Sequence, residues 1–155
     1  MNADIAIEQA LAKAEQGTLD SEMFFSTLAT EMPEVFTFLF DEDTRLLQEQ
    51  EHDYLLFISM VLIDTLRQTD NQFSETDIEL LHDLVEDNWG LLEHTSIDNI
   101  SETLSRHPAY PMYEFLEDAC TPDDEEQEIL SDVAAELIYV KCKSLVDSAY
   151  LSLKF

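Results

Sequence analysis

The sequence predicts an all-α fold, with residues 1–155 forming a single acidic helical domain of about six to seven helices arranged as a bundle. Three observations carry this. Gly occurs twice and Pro four times in 155 residues, too few breakers for a sandwich or barrel built on tight turns. Hydrophobic residues make up 45% of the chain, with nine Phe, five Tyr and one Trp, enough apolar material for the core of a domain of this length. Several stretches also repeat apolar residues at helical spacing, with acids on the opposite side.

Residues 3–16 read as a first helix, with Ile5, Ile7, Leu11 and Ala14 apolar and Gly17 as its stop. Residues 19–31 read as a second, carrying Met23, Phe24 and Leu28. Pro33 opens a short apolar piece, 35–40, whose Phe-rich composition suits a strand as well as a helix. Residues 42–68 form the longest apolar element of the first half. From Leu55 to Ile63 they are apolar nearly all round, as expected of a central helix covered by others.

A loop at 69–73 leads to Ser74 as N-cap, with Asp77 at the third helical position, and to an amphipathic helix over 75–93. A shorter helix is expected over 97–106, a loop over 107–111, and one or two helical turns over 112–119. Thr121-Pro122 then reads as the start of a long C-terminal helix, 122–150. Asp123, Asp124, Glu125, Glu126 and Glu128 would sit at its positive end, with Lys141 and Lys143 toward its negative end. Each well-placed charge would contribute ~0.3–1 kcal/mol. The final residues alternate in polarity, so a small two-stranded ribbon of 35–40 with 150–155 is the minor alternative.

The charge is lopsided: 35 Asp+Glu against 7 Lys+Arg, a formal net of −28. Such a chain is disfavoured as a direct binder of nucleic acid or anionic membrane, both of which need cationic contacts. The longest strongly apolar run, 54–63, is about half of a membrane span. No base precedes Lys13, so no secretory leader is expected. Two isolated cysteines, Cys120 and Cys142, imply no disulfide framework, and a cytoplasmic location is the simplest expectation. Cys142 stands between Lys141 and Lys143, which could lower its pKa. Leu137, Ile138 and Leu145 at neighbouring helical positions favour a place in the core instead.

Two Glu-x-x-His pairs, Glu49/His52 and Glu79/His82, match the ligand spacing of carboxylate-bridged di-metal bundles, because residues three apart share a helix face. If 42–68 and 75–93 were antiparallel neighbours, the two pairs would lie ~15 Å apart along the bundle, too far to share a cluster. Glu125-x-x-Glu128 and Asp83-x-x-Glu86 have the spacing of Mg²⁺-binding carboxylate pairs, a spacing that arises freely in so acidic a chain. No nucleophile motif is present, and Gly17 and Gly90 alone build no phosphate loop. The expectation is no cofactor and no metal.

The amphipathic helix offers the sharper feature. Glu75, Glu79, Asp83, Glu86, Asp87 and Glu93 fall within about 120° of its circumference. The expected function is a non-enzymatic protein-binding module whose acidic face engages a basic protein partner. It would act as a nucleic-acid mimic, an immunity-type inhibitor or a cargo chaperone. The alternatives are a di-metal enzyme using Glu49, His52, Glu79 and His82, and a solvating structural domain of a larger assembly. Mimicry is demanding. Spread over the ~8,000 Å² of a folded chain this size, the net charge is about threefold more dilute than on DNA.

Overall fold

Side-chain oxygens mark where the helices begin. Asn2 accepts the Ile5 N–H at 3.0 Å, and Asp20 accepts those of Glu22 and Met23 at 2.8 and 3.2 Å. Asp77 accepts from Leu80 at 2.8 Å, Ser96 from Asn99 at 3.3 Å and Ser131 from Ala134 at 3.2 Å. Each satisfies a backbone donor that the first helical turn leaves without a partner. The computed structural model describes residues 2–69, 71, 73, 76–121 and 130–151. Among these there are eight α-helices and no strand. They are α1 (Ala3–Glu15), α2 (Ser21–Glu31), α3 (Pro33–Leu39), α4 (Glu49–Gln68), α5 (Ile78–His94), α6 (Ile97–Thr103), α7 (Tyr110–Cys120) and α8 (Asp132–Ala149).

The all-helical expectation holds, and the count exceeds six to seven because the two doubtful pieces are both helices. In α3, Pro33 occupies the first turn, where its fixed φ favours a helix and its missing N–H costs nothing. Val35, Phe38 and Leu39 then face the core. Phe36 and Phe40 meet Phe25 of α2 at ring separations of 4.8 and 5.2 Å. With 35–39 helical, the ribbon alternative fails on that side; residues 152–155 lie outside the described residues.

The predicted 42–68 helix is broken. The Asp41 carboxylate accepts the N–H groups of Asp43 and Thr44, a side-chain turn that competes with helix. A single 3-10 turn (Thr44–Leu46) follows, Leu47 and Gln48 are extended, and α4 starts at Glu49. α1 ends as predicted at Gly17, whose φ of 74° is the left-handed conformation glycine adopts freely.

α5 begins three residues later than expected, with Asp77 itself as N-cap; Ser74 lies outside the described residues. α7 absorbs 110 and 111, part of the expected 107–111 loop. Thr121 closes α7 through its N–H to the Glu117 carbonyl; the helix start expected at Thr121-Pro122 falls on residues outside those described. α8 starts at Asp132 behind Ser131, and 122–129 lie outside the described residues. Lys141 and Lys143 therefore sit in mid-helix and are buried, which removes the helix-dipole explanation offered for them.

Two helices are enclosed all round where one was expected. Six consecutive residues of α4, 58–63, and nine of α8, 138–146, are buried. α4 packs on α8, α1 lies against α4, and α5 and α7 lie against α8. No described helix is long and apolar enough to cross a membrane.

Candidate partner-binding face and a buried ionic seam

The wheel of α5 is oriented as its sequence predicts. Glu79, Asp83, Glu86, Asp87 and Glu93 are all exposed, while Glu75 lies outside the described residues. On the opposite side Leu81 is buried, and Val85 and Leu92 pack against the core. The ion pairs of the described residues lie elsewhere: Lys13–Asp64 at 3.1 Å, Arg67–Glu31 at 2.9 Å, Lys143–Asp147 at 2.9 Å, and Lys141–Asp41. Two of the seven bases are thus spent in the interior. Gly90 stands in the middle of the acidic row, and a Cβ added there would meet nothing within 4 Å. A glycine inside a helix costs about 1 kcal/mol relative to alanine, and no contact among the described residues explains this one.

The charge on the molecule as a whole stays diffuse. An accessible surface of 8945 Å² carrying a net −28 gives about one charge per 320 Å², even more dilute relative to DNA than the sequence estimate. Any concentration of charge is local, and α5 provides one.

Behind α5 runs a polar seam that the sequence did not reveal. Asn88, buried at a core-facing position of α5, donates to Ser144 Oγ and to Asp147 Oδ2, each at 3.0 Å. Lys143 Nζ donates to Asn88 Oδ1 at 2.8 Å and to Asp147 Oδ2 at 2.9 Å. The Tyr113 hydroxyl donates to Asp147 Oδ1 at 2.6 Å. Burial, then the adjacent Asp147 charge, pushes the Tyr113 phenol far above its ordinary pKa, so it stays a donor. Lys141 makes a second internal clamp. It donates to the Phe38 carbonyl at 2.8 Å and to Asp41, and lies 4.2 Å from the centre of the Phe38 ring. Cavities of 440, 170, 430 and 210 Å³ lie away from these groups. The seam's donors and acceptors satisfy one another, and its chemistry is that of a fastening between α5, α7 and α8.

The metal alternative gains no support from placement. Glu49, Glu79 and His82 are exposed, and His52 is half-buried. Among the described residues no three His, Cys, Asp or Glu side chains gather as a metal site. Near these candidate ligands on α4 the carboxylate with a defined job is instead Glu51, which lies between Glu49 and His52. It accepts from the Gln48 N–H at 2.9 Å and from the Ser131 N–H and hydroxyl, each at 3.1 Å. Burial alone would raise its pKa; the hydrogen bonds from Gln48 and Ser131, with the His52 charge, outweigh burial and hold it below the ordinary value. One carboxylate thereby caps α4 and holds the start of α8.

Of the Mg²⁺-type pairs, Asp83 and Glu86 are exposed on α5, and Glu125 and Glu128 lie outside the described residues. Cys120 and Cys142 are free and buried. Burial raises the Cys120 pKa to about 12 and pushes that of Cys142 well above the ordinary value. The core reading of Cys142 therefore prevails over activation by its lysine neighbours. The chain matches no protein-family model, no curated protein and no solved structure.

Proposed function

We propose that the chain is a non-enzymatic helical module that receives a basic protein partner on the exposed face of α5. The helices are then best understood as a bundle that presents this face outward. The observation carrying the reading is the unneutralised row itself. Glu79, Asp83, Glu86, Asp87 and Glu93 share one exposed side, and none belongs to the ion pairs of the described residues. Acids that serve a helix's own stability gather in its first turn or stand opposite a base. Only Glu79 lies in the first turn of α5. Glu79–Asp83 and Asp83–Asp87 are like-charge pairs four residues apart, each costing a few tenths of a kcal/mol. A cationic partner removes that repulsion on binding, and the field steers its approach. A polyanion would be repelled, which sets nucleic acid aside as a direct ligand.

The test compares two triple reversals of equal charge change, using a fluorescent oligolysine as probe. Glu79→Lys/Asp83→Lys/Glu86→Lys on α5 should abolish binding while leaving the helical circular dichroism intact. Asp4→Lys/Glu8→Lys/Glu15→Lys, on exposed positions of α1, should retain most of it. Wild-type affinity should fall steeply between about 0.05 and 0.5 M salt. Equal losses in the two variants would reduce the acidity to a general property of the surface and end this reading.

A further inference from the structure

The acidic row of α5 borders an apolar stripe with a coiled-coil spacing. Leu80, Leu84, Asp87 and Leu91 follow one another at four, three and four residues, which confines them to about 60° of the helix circumference. Leu91 is 43% exposed, and Leu80 and Leu84 are half-buried. The direction of the core is set by Leu81 and Asn88, the two buried residues of α5. The stripe lies about 90° away from Leu81, on the shoulder between the core side and the acids. Asp87 belongs to both features.

We propose that this shoulder is a helix-docking seam, and that its occupant is a basic amphipathic helix of another protein. The occupant would set apolar residues against Leu80, Leu84 and Leu91 and a lysine or arginine opposite Asp87. The inference rests on the acidic-face reading and narrows its partner. The 4-3-4 repeat is what knobs-into-holes packing requires of a helix that meets another helix; a strand repeats every two residues and would meet the stripe only once or twice. An aspartate within an apolar seam is desolvated when the seam closes, a cost that only a paired cation offsets. The same polar position fixes the register of the incoming helix.

A second copy of this chain is the wrong occupant. Pairing α5 with α5 would bring two Asp87 carboxylates and two rows of flanking acids together. Within the acidic row, a Cβ at Gly90 would meet nothing within 4 Å among the described residues, which leaves room for the stem of a partner's long basic side chain to lie on the α5 backbone.

The experiment uses two leucine–lysine–alanine peptides of identical composition and matched helical content. In one, the leucines form a single stripe interrupted by one lysine; in the other, they are distributed around the helix. Fluorescence anisotropy at about 0.15 M salt should give the striped peptide roughly tenfold tighter binding to the wild-type protein. Leu91→Gln, at an exposed position, should bring the striped peptide down to the level of the distributed one and leave the latter within about twofold. Equal affinities of the two peptides for the wild type overturn the seam and leave the acidic face standing. Failure of both to bind overturns the acidic face and the seam with it. A striped peptide indifferent to Leu91→Gln also overturns the seam.

Discussion

His107 sits in the loop before α7, where its Nδ1 accepts the Ala109 N–H at 2.9 Å. Its ring meets Tyr113 and Tyr150 edge-on at 5.2 and 5.4 Å. Burial lowers its pKa below 6.5; Asp147 pulls the other way, and Lys143 adds to the lowering. A depressed folded-state pKa means that the unfolded chain binds the proton more readily. The stability His107 contributes is therefore complete above pH 6.5 and is lost as the pH falls through 6.5 toward the folded-state value. NMR titration should give His107 a pKa below 6.5, and His107→Gln should reduce the loss of unfolding free energy between about pH 7.5 and 5.5. A His107 pKa at or above 6.5 would refute this.

Single residues were where the sequence was least informative. Lys141 and Lys143 looked like end-of-helix charges because their carbon stems and ammonium groups give no sign of the partners they meet. Asp41 is 100 residues away from Lys141, and Asn88 is 55 residues away from Lys143. Asn88 falls at a core-facing angle, a legible warning that a buried polar partner waited opposite. Glu51 had no such sign, since its role depends on Ser131, 80 residues downstream.

At the scale of the element, α5 is held in an unusual way. Only two of its 17 residues are buried, and one of them is Asn88. α8 by contrast buries 12 of 18. Much of the hold on α5 is therefore polar, and Lys143 is its pivot: its Asp147 partner is on its own helix, whereas its bond to Asn88 crosses to α5. Lys143→Met keeps the stem and removes the charge, leaving Asp147 to the hydroxyl of Tyr113 and the amide of Asn88. Breaking a buried pair from one side costs ~3–5 kcal/mol. Amide hydrogen exchange in this variant should accelerate more over α5 than over α1 or α2, as expected where a segment that loses its fastening opens locally. A uniform acceleration across all helices would show that the seam acts on global stability alone.

Elements were legible where their signals are local. Gly17 ended α1 and the apolar period placed α4 and α5, because caps and periodicity need no distant partner. The errors arose where two local signals compete. The Asp41 side chain interrupts what the apolar pattern joined into 42–68. Glu79, Asp83, Glu86, Asp87 and Glu93 are exposed where charge and amphipathic period agree; the leucine shoulder beside them emerged only once Leu81 and Asn88 had fixed which way α5 faces the core.

For the molecule as a whole, the dominant fact is 35 acids against 7 bases, with two of those bases enclosed. The enclosed pairs are screened much less by salt than pairs at the surface. The exposed pair Arg67–Glu31 is worth about 0–1 kcal/mol and is easily screened. Self-repulsion among the remaining acids acts against the compact state and is screened as well. The two exposed effects oppose each other, and their sizes decide the outcome. One or two weak attractions face an uncompensated net charge of −28. Raising sodium chloride from about 0.01 to 0.5 M, which cuts the screening length from ~30 Å to a few ångströms, should therefore raise the urea unfolding midpoint. The same change should weaken binding of the basic peptide. Opposite signs for stability and affinity distinguish a repulsive face waiting for a cation from a surface whose acids are already balanced by internal pairs. If the urea midpoint falls with salt, the acids are compensated within the fold, and the electrostatic case for a basic partner on α5 falls with it.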